Sequence, residues 1–368
     1  MEQTNELKEL QKQFSDDLKK FKNTKIKCGI VGRSGTGKSS LINAIVGEEI
    51  APTGEVETTM EVGEPIEHRG LHFYDLPGCS TANFPKEDYI NKFQISNFDC
   101  VILVTSDRFY EDDLYLIDEL IKIKVPVFAV RTKIDFSIDR GKRRDVSEKE
   151  TCDTIMNNLK ENLKGYRLKG IYLTSADYPQ EYDLSLLLDD IYSSLGKLKQ
   201  DRFIADINIT SEKILGQKKA IAKKIVSRYS LLAAANGINP IPGLDISVDI
   251  GLLLKMGNDV KGIYGLSSEN QEFNLEFLGK KKAALIATKA LQFTTKYIGK
   301  ESIMLLLKKA GAVIATKTAA KWIPFVGQAI AATAGFFLTS SIGGNMINDA
   351  EQVAKETFDA FKTLRIKE

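Results

Sequence analysis

A chain of 368 residues, 43% hydrophobic and 27% charged, has a globular composition and is too long for one ordinary core, which predicts two domains of roughly 100 to 200 residues each. Its net charge of +2 supplies no broad basic field and argues against nucleic acid as a partner. The four cysteines, Cys28, Cys79, Cys100 and Cys152, are scattered without a CxxC pair, which argues against a zinc site or a disulfide framework and fits a reducing cytoplasmic compartment.

Between residues 4 and 22, Leu7, Leu10, Phe14, Leu18 and Phe21 recur at helical spacing among charged residues. The chain is therefore expected to open on an amphipathic helix that packs its apolar stripe on neighbouring helices. No signal peptide is expected, and Glu2 stands where N-myristoylation requires glycine, so membrane contact is expected from the folded body.

Residues 26–46 carry the strongest pattern. A buried-strand run, Ile26 to Val31, leads into Gly32-Arg-Ser34-Gly35-Thr36-Gly37-Lys38-Ser39, and Ser40 then opens a helix with Leu41, Ile42, Ile45 and Val46 on its apolar face. This is a complete Walker A loop between its strand and its helix. Backbone N–H groups of such a loop cradle a polyphosphate, Lys38 reaches the β- and γ-phosphate oxygens, and Ser39 places a hydroxyl on Mg²⁺.

The polar stretch 47–63 follows and holds Thr58 and Thr59. A threonine here is expected to close over Mg²⁺ and the γ-phosphate; Thr59 is the first choice and Thr58 the second. A strand from Leu71 to Tyr74 then delivers Asp75-Leu-Pro-Gly78. Asp75 is expected to hold Mg²⁺ through water, and the Gly78 N–H to sense the γ-phosphate.

A run from Asn97 to Val104 reads as a central parallel strand, and residues 110–123 as its crossover helix. The strand Val125–Val130 ends in Arg131-Thr132-Lys133-Ile134-Asp135. A carboxylate at Asp135 accepts the N1–H and N2–H₂ of guanine as a pair, which adenine does not offer, while the Lys133 stem packs on the purine face. A charged loop is expected over 137–150 and a helix around 150–163. A strand from Ile171 to Thr174 brings Ser175 and Ala176, where a backbone N–H meets the guanine O6.

The C-terminal half turns helical from about Leu184. Pro240 to Gly251 and Pro324 to Gly335 share a P-x-x-G start with a glycine eight residues later, which predicts paired helical hairpins that cross closely at Gly251 and Gly335. Residues 322–348 hold no charge and are long enough to span a bilayer. Their polar and small residues favour a buried helix pair, with a membrane-inserting hairpin as the other reading. The lysine runs at 218–219, 223–224 and 280–282 are expected to be solvated.

With GRSGTGKSS, TTME, DLPG, RTKID and TSA in this order, the chain resembles the interferon-inducible, immunity-related GTPases (the IRG family). Val104 to Asp113, Thr132 at the position where small GTPases usually have Asn, and Lys321 to Ala329 carry the resemblance beyond the nucleotide motifs. It implies a Ras-like α/β P-loop GTPase domain with a mostly parallel sheet over 25–198. It also implies an all-α domain built from a helix at 1–24 and the segment 199–368. GTP or GDP with Mg²⁺, GTP-dependent self-association through the nucleotide domain, and peripheral action at intracellular membranes in cell-autonomous defence follow from the same likeness. Lys38, Thr59 and Glu61 are implied in hydrolysis, with Ser39, Thr59 and Asp75 at the metal. No Gln follows Gly78 to orient water; Cys79 and Ser80 stand there, so hydrolysis is either completed by a partner or weak. The rival readings are a slow nucleotide-dependent scaffold and a dynamin-like membrane remodeller without an immune role.

Overall fold

The computed structural model describes residues 2–53, 64–77, 86–236, 245–307, 309 and 327–363. Two compact units emerge: Met1–Asn23 joins Glu212–Ala360 in a helical unit, and Thr24–Ser211 forms a sheet unit.

In the sheet unit, β1 (Ile26–Val31) is followed by α2 (Lys38–Val46), after α1 (Glu2–Asn23) of the helical unit. Next come β2 (Ile66–His68), β3 (Leu71–Leu76), α3 (Lys86–Lys92), β4 (Cys100–Thr105), α4 (Glu111–Lys122), β5 (Val127–Arg131) and α5 (Ile134–Lys142). The unit closes with α6 (Glu148–Asn162), β6 (Gly170–Leu173), α7 (Leu184–Ser194) and α8 (Lys197–Asp206). The sheet order is β2-β3-β1-β4-β5-β6. All neighbours are parallel except the β2–β3 hairpin. The order reverses at β1, since the chain goes to one side for β3 and to the other for β4, and such a switch point opens a crevice at the carboxyl ends of the strands. The central strands are fully buried: every residue of β4 and β5 is below the surface, as expected of strands covered on both faces.

Three sequence expectations change. Residues 134–142 form α5 rather than a charged loop, because Ile134 and Ile138, one turn apart, are both buried against the core. The short strand β2 has no counterpart in the pattern reading; its three residues are too few for a periodicity to show. Residues 199–211, placed by sequence with the helical segment, lie in the sheet unit. The reason is a buried carboxylate on α8: Asp206 accepts from Gly70 N at 2.9 Å and Arg202 Nε at 2.5 Å, and lies 3.5 Å from Arg69. It ties α8 to the turn between β2 and β3.

The helical unit packs α1 against α9 (Glu212–Asn236) and α9 against α10 (Asp245–Ile263), followed by α11 (Ser268–Phe277), α12 (Lys280–Ile298), α13 (from residue 300, described to 307) and α14 (Gly327–Lys362). Leu18 and Phe21 of α1 are buried and Phe14 half-buried; the side chains of Leu7 and Leu10 lie outside the described residues. Lys22 fixes the helix end, 2.8 Å from Asp259 and donating to Tyr229 at 3.2 Å. The two glycines expected to mark close crossings differ. A Cβ on Gly335 would sit 3.0 Å from the Ala233 carbonyl of α9, whereas one on Gly251 would meet nothing within 4 Å among the described residues. Among the described residues the paired-hairpin symmetry therefore does not hold at Gly251; the close approach on α10 falls at Gly257, where an added Cβ would lie 2.8 Å from the Tyr297 carbonyl. Lys218 departs from the solvated reading as well: it is 2% exposed and donates to Ile263 O, at the end of α10, at 2.6 Å, where a cation meets the negative end of the helix. Among the described residues no helix is long and apolar enough to cross a membrane.

Replacing Asp206 by Ala is expected to destabilise the sheet unit by about 3–5 kcal/mol, because it strips a buried guanidinium of its carboxylate; urea denaturation of the full chain checks this.

Candidate nucleotide site

The site is built where β1, β4, β5 and β6 end. At Gly32 the chain leaves β1 so close to β4 that an added Cβ would lie 2.3 Å from the Val104 carbonyl oxygen. Only glycine fits there. The loop then turns through Gly37 at φ 86°, a left-handed conformation that glycine adopts without strain, and α2 starts at Lys38. Lys38 Nζ folds back on the loop, donating to Gly32 O at 2.9 Å, and stands 3.6 Å from Asp75 at the end of β3. Thr36 closes the loop on itself through Oγ1 to Arg33 O at 2.8 Å. Arg33 lies over the Tyr110 ring with its guanidinium carbon 3.7 Å from the centroid. Ser39 occupies the first turn of α2 beside Lys38, and Ser34 and Gly35 are exposed on the outer side of the loop.

The base motif is fastened to this loop. The Thr132 hydroxyl is shared between Thr36 O and Thr105 O, the latter at 3.2 Å, and the Thr132 N–H also reaches Thr105 O at 2.9 Å. Lys133, left-handed at φ 56°, extends across to Gly35 O at 2.8 Å. Its stem therefore lies along one side of the space between the two motifs. That space is a cavity of about 240 Å³, lined from three stretches: Gly37, Ser40 and Leu41; Thr132, Lys133, Asp135 and Phe136; and Thr174 to Asp177, including Ser175 and Ala176. Ile134 N donates to Thr174 O at 3.3 Å and holds the second and third stretches together. Burial first, and the negative charge of Asp135 second, push the Asp177 carboxyl above the usual carboxylate range.

The structure thus gathers Gly32, Ser34, Gly35, Thr36, Gly37, Lys38, Ser39 and Asp75 at the loop, and Ser40, Thr132, Lys133, Asp135, Ser175 and Ala176 at the cavity. Thr58, Thr59, Glu61 and Gly78 lie outside the described residues. Three participants were not found by sequence. Asn43 of α2 is buried and clamps the chain that leaves the helix, its amide accepting from Ile50 N and Ala51 N at 3.0 and 2.8 Å and donating to Ala51 O at 2.9 Å. Phe136 is 63% exposed beside the cavity, and Asp177 adds a second acid to it. The first gave no signal beyond being a polar residue on a helix's apolar stretch; the other two directly follow motifs and were open to inspection.

The sequence profile of the interferon-inducible GTPases matches residues 1–323. Interferon-inducible GTPase 1 of Mus musculus is 29% identical over 254 residues, covering 65% of this chain and 60% of that protein. Interferon-inducible GTPase 5 of Bos taurus is 24% identical over 347 residues, covering 90% of this chain and 74% of that protein. Among solved structures, the FeoB G-domain of Methanococcus jannaschii is similar at a TM-score of 0.28 and 20% identity, over 48% of this chain and 99% of that one. The chain thus spans about three-fifths of the length of the first of these relatives.

Thr132→Val keeps the side-chain volume and removes the shared hydroxyl. It is expected to cost the sheet unit about 1–3 kcal/mol, since buried carbonyl groups lose a donor, and to weaken nucleotide binding with it; urea titration and equilibrium nucleotide binding on the same variant check both.

Proposed function

We propose that this chain, which belongs to the interferon-inducible GTPase family, binds GTP with Mg²⁺ and hydrolyses it to GDP and phosphate. The observation that carries the reading is the cavity shared by Ser40, by Thr132, Lys133, Asp135 and Phe136, and by Thr174 to Asp177, directly continuous with a phosphate loop. It combines a flat wall, the Lys133 stem, with a carboxylate, and a purine that presents paired N–H donors satisfies both.

The chain's own groups divide the work. Backbone N–H groups from Gly35 to Ser39 face the phosphates, and the positive end of α2 adds to their pull on negative charge. Lys38 is already held over the loop by Gly32 O, so it needs only a short swing to a β- or γ-phosphate oxygen. The ring of acceptors near it fits a hard cation: the Ser39 hydroxyl and the Asp75 carboxylate are oxygen ligands of the kind Mg²⁺ takes. That ion, when bound, offsets the charge on the β- and γ-phosphates. Asp135 takes the base edge, and the Ser175 and Ala176 backbone offers N–H to O6. Thr59 closing over the γ-phosphate and Glu61 assisting hydrolysis complete the assignment.

The wider reading is an assembling enzyme: GTP-dependent association of nucleotide domains completes hydrolysis, with peripheral action at intracellular membranes in cell-autonomous defence. The absence of a Gln after Gly78 favours completion by a second molecule over catalysis by the monomer alone.

Lys38→Ala is expected to abolish tight GTP binding, and Asp135→Asn to transfer preference from GTP to xanthosine triphosphate, whose altered edge complements the amide. Unchanged GTP preference in Asp135→Asn would remove base reading from this position. Turnover per molecule, measured over a wide protein concentration range with light scattering on the same samples, tests assembly. Specific activity that rises with concentration, with scattering only in GTP, is the expected result; flat turnover without scattering leaves a slow monomeric switch.

A further inference from the structure

Arg131 ends β5 immediately before the base motif and is 7% exposed. Its guanidinium donates through Nη1 to Thr132 O and through Nη2 to Ser137 Oγ, the latter at 3.2 Å, while Nε has no hydrogen-bond partner among the described residues. These bonds begin at one end of the turn and finish in the first turn of α5, so they bracket Lys133, Ile134 and Asp135. Among the described residues no carboxylate lies within ion-pair distance of this buried cation. The acids whose charge bears on it are Asp107, after β4, and Asp135, in α5; burial outweighs them and holds the guanidinium below its usual range. Asp177, after β6, faces Asp135 across the cavity from the third stretch, and the Lys133 ammonium is turned away to Gly35 O.

A buried guanidinium without a carboxylate is an expensive way to hold a turn, since a neutral donor would satisfy Thr132 O and Ser137 Oγ without the desolvation of a charge. The charge has a use at this place. Two acids, Asp135 and Asp177, line one small cavity and repel each other, and a carboxylate must be ionised to accept a pair of N–H donors. We infer that Arg131 is a positioning residue for base recognition: it fixes the turn that presents Asp135 to the cavity, and its charge, which bears on Asp135, counters the repulsion that Asp177 exerts there, so that Asp135 accepts the guanine edge as a carboxylate. The inference rests on the guanine reading given above and names the group that makes it work.

Arg131→Met and Arg131→Lys in the full chain test it, with equilibrium binding of GTP, inosine triphosphate, ATP and inorganic triphosphate. Inorganic triphosphate reports the phosphate loop alone, and inosine triphosphate offers Asp135 one N–H in place of the pair. The Met variant is expected to bind inorganic triphosphate as the wild type does and GTP about tenfold or more weakly, in line with a lost charge-assisted pair. The loss for inosine triphosphate is smaller. Arg131→Lys restores part of the affinity, and Asp177→Asn added to the Met variant restores part as well. Equal weakening of GTP, inosine triphosphate and inorganic triphosphate identifies a purely structural residue and overturns the inference, as does unchanged GTP affinity. If wild-type protein binds inorganic triphosphate but favours GTP over neither inosine triphosphate nor ATP, the guanine reading itself falls and this inference falls with it.

Discussion

One hydroxyl group joins the parts of this site. Thr132 Oγ1 sits between the carbonyl of Thr36 in the phosphate loop and that of Thr105 at the end of β4, and the Thr132 N–H adds a second tie to Thr105. Three chain segments distant in sequence are brought to one atom. A side chain with a single proton to give sets a distance between loop and base motif without filling the space between them, and the cavity of about 240 Å³ lies in that space. A longer amide at this position, as small GTPases have, would bridge the same gap with two donors and an acceptor. The shorter hydroxyl spans only a close approach, and the loop does run close to β4: a Cβ on Gly32 has no room beside Val104.

The same closeness explains the neighbouring contacts. With loop and motif nearly touching, Lys133 reaches Gly35 O directly, which aligns its stem along the cavity. The Arg131 guanidinium is then enclosed beneath the turn. On the far side of α2, Asn43 clamps residues 50 and 51, so the segment that leaves the helix starts from a fixed point. Glu48 extends this hold to the hairpin, 3.3 Å from His68. The phosphate loop therefore has rigid supports on both flanks, one from the base motif and one from the chain running toward Thr58 and Thr59. Groups that are held before a ligand arrives lose less freedom when it binds.

Much of this was legible in the sequence because it is written locally. The strand, loop and helix of residues 26–46, the strand end at Asp75 and the motif Thr132 to Asp135 are each continuous stretches of sequence, and in a sheet whose order reverses at β1 their strands end on one side. What escaped depends on contacts between distant segments. Nothing near Asn43 shows that residues 50 and 51 return to it. Nothing near Asp206 shows that it meets Gly70, which is why the domain boundary was drawn thirteen residues early, at 198 in place of 211. The charged residues after Ser137 hid a helix because two buried isoleucines, rather than the average polarity, decide that turn. In the helical unit a shared P-x-x-G spacing suggested two equivalent crossings, yet only Gly335 meets a neighbouring backbone. Small residues permit a close approach without dictating where it happens.

The buried cations of the chain show what a charge is doing in each place. Arg202 is 7% exposed and bonded to Asp206 one turn away, so its burial is compensated by a carboxylate and serves to dock α8. Lys218 is 2% exposed and ends on the carbonyl of Ile263, where the terminal peptide dipoles of α10 supply the negative potential. Both arrangements close electrostatically within the fold. Arg131 is as deeply buried as Arg202, but its hydrogen-bond acceptors are a carbonyl and a hydroxyl, and of the two acids that bear on it, Asp107 and Asp135, only Asp135 lines the cavity and, among the described residues, neither is in an ion pair with it. Its charge answers to Asp107 after β4 and to Asp135, the cavity's own carboxylate. The electrostatics of this corner of the fold thus run in part through Asp135, the residue proposed to meet the base, and a group compensated in part by a proposed binding residue is tied to binding as well as to folding.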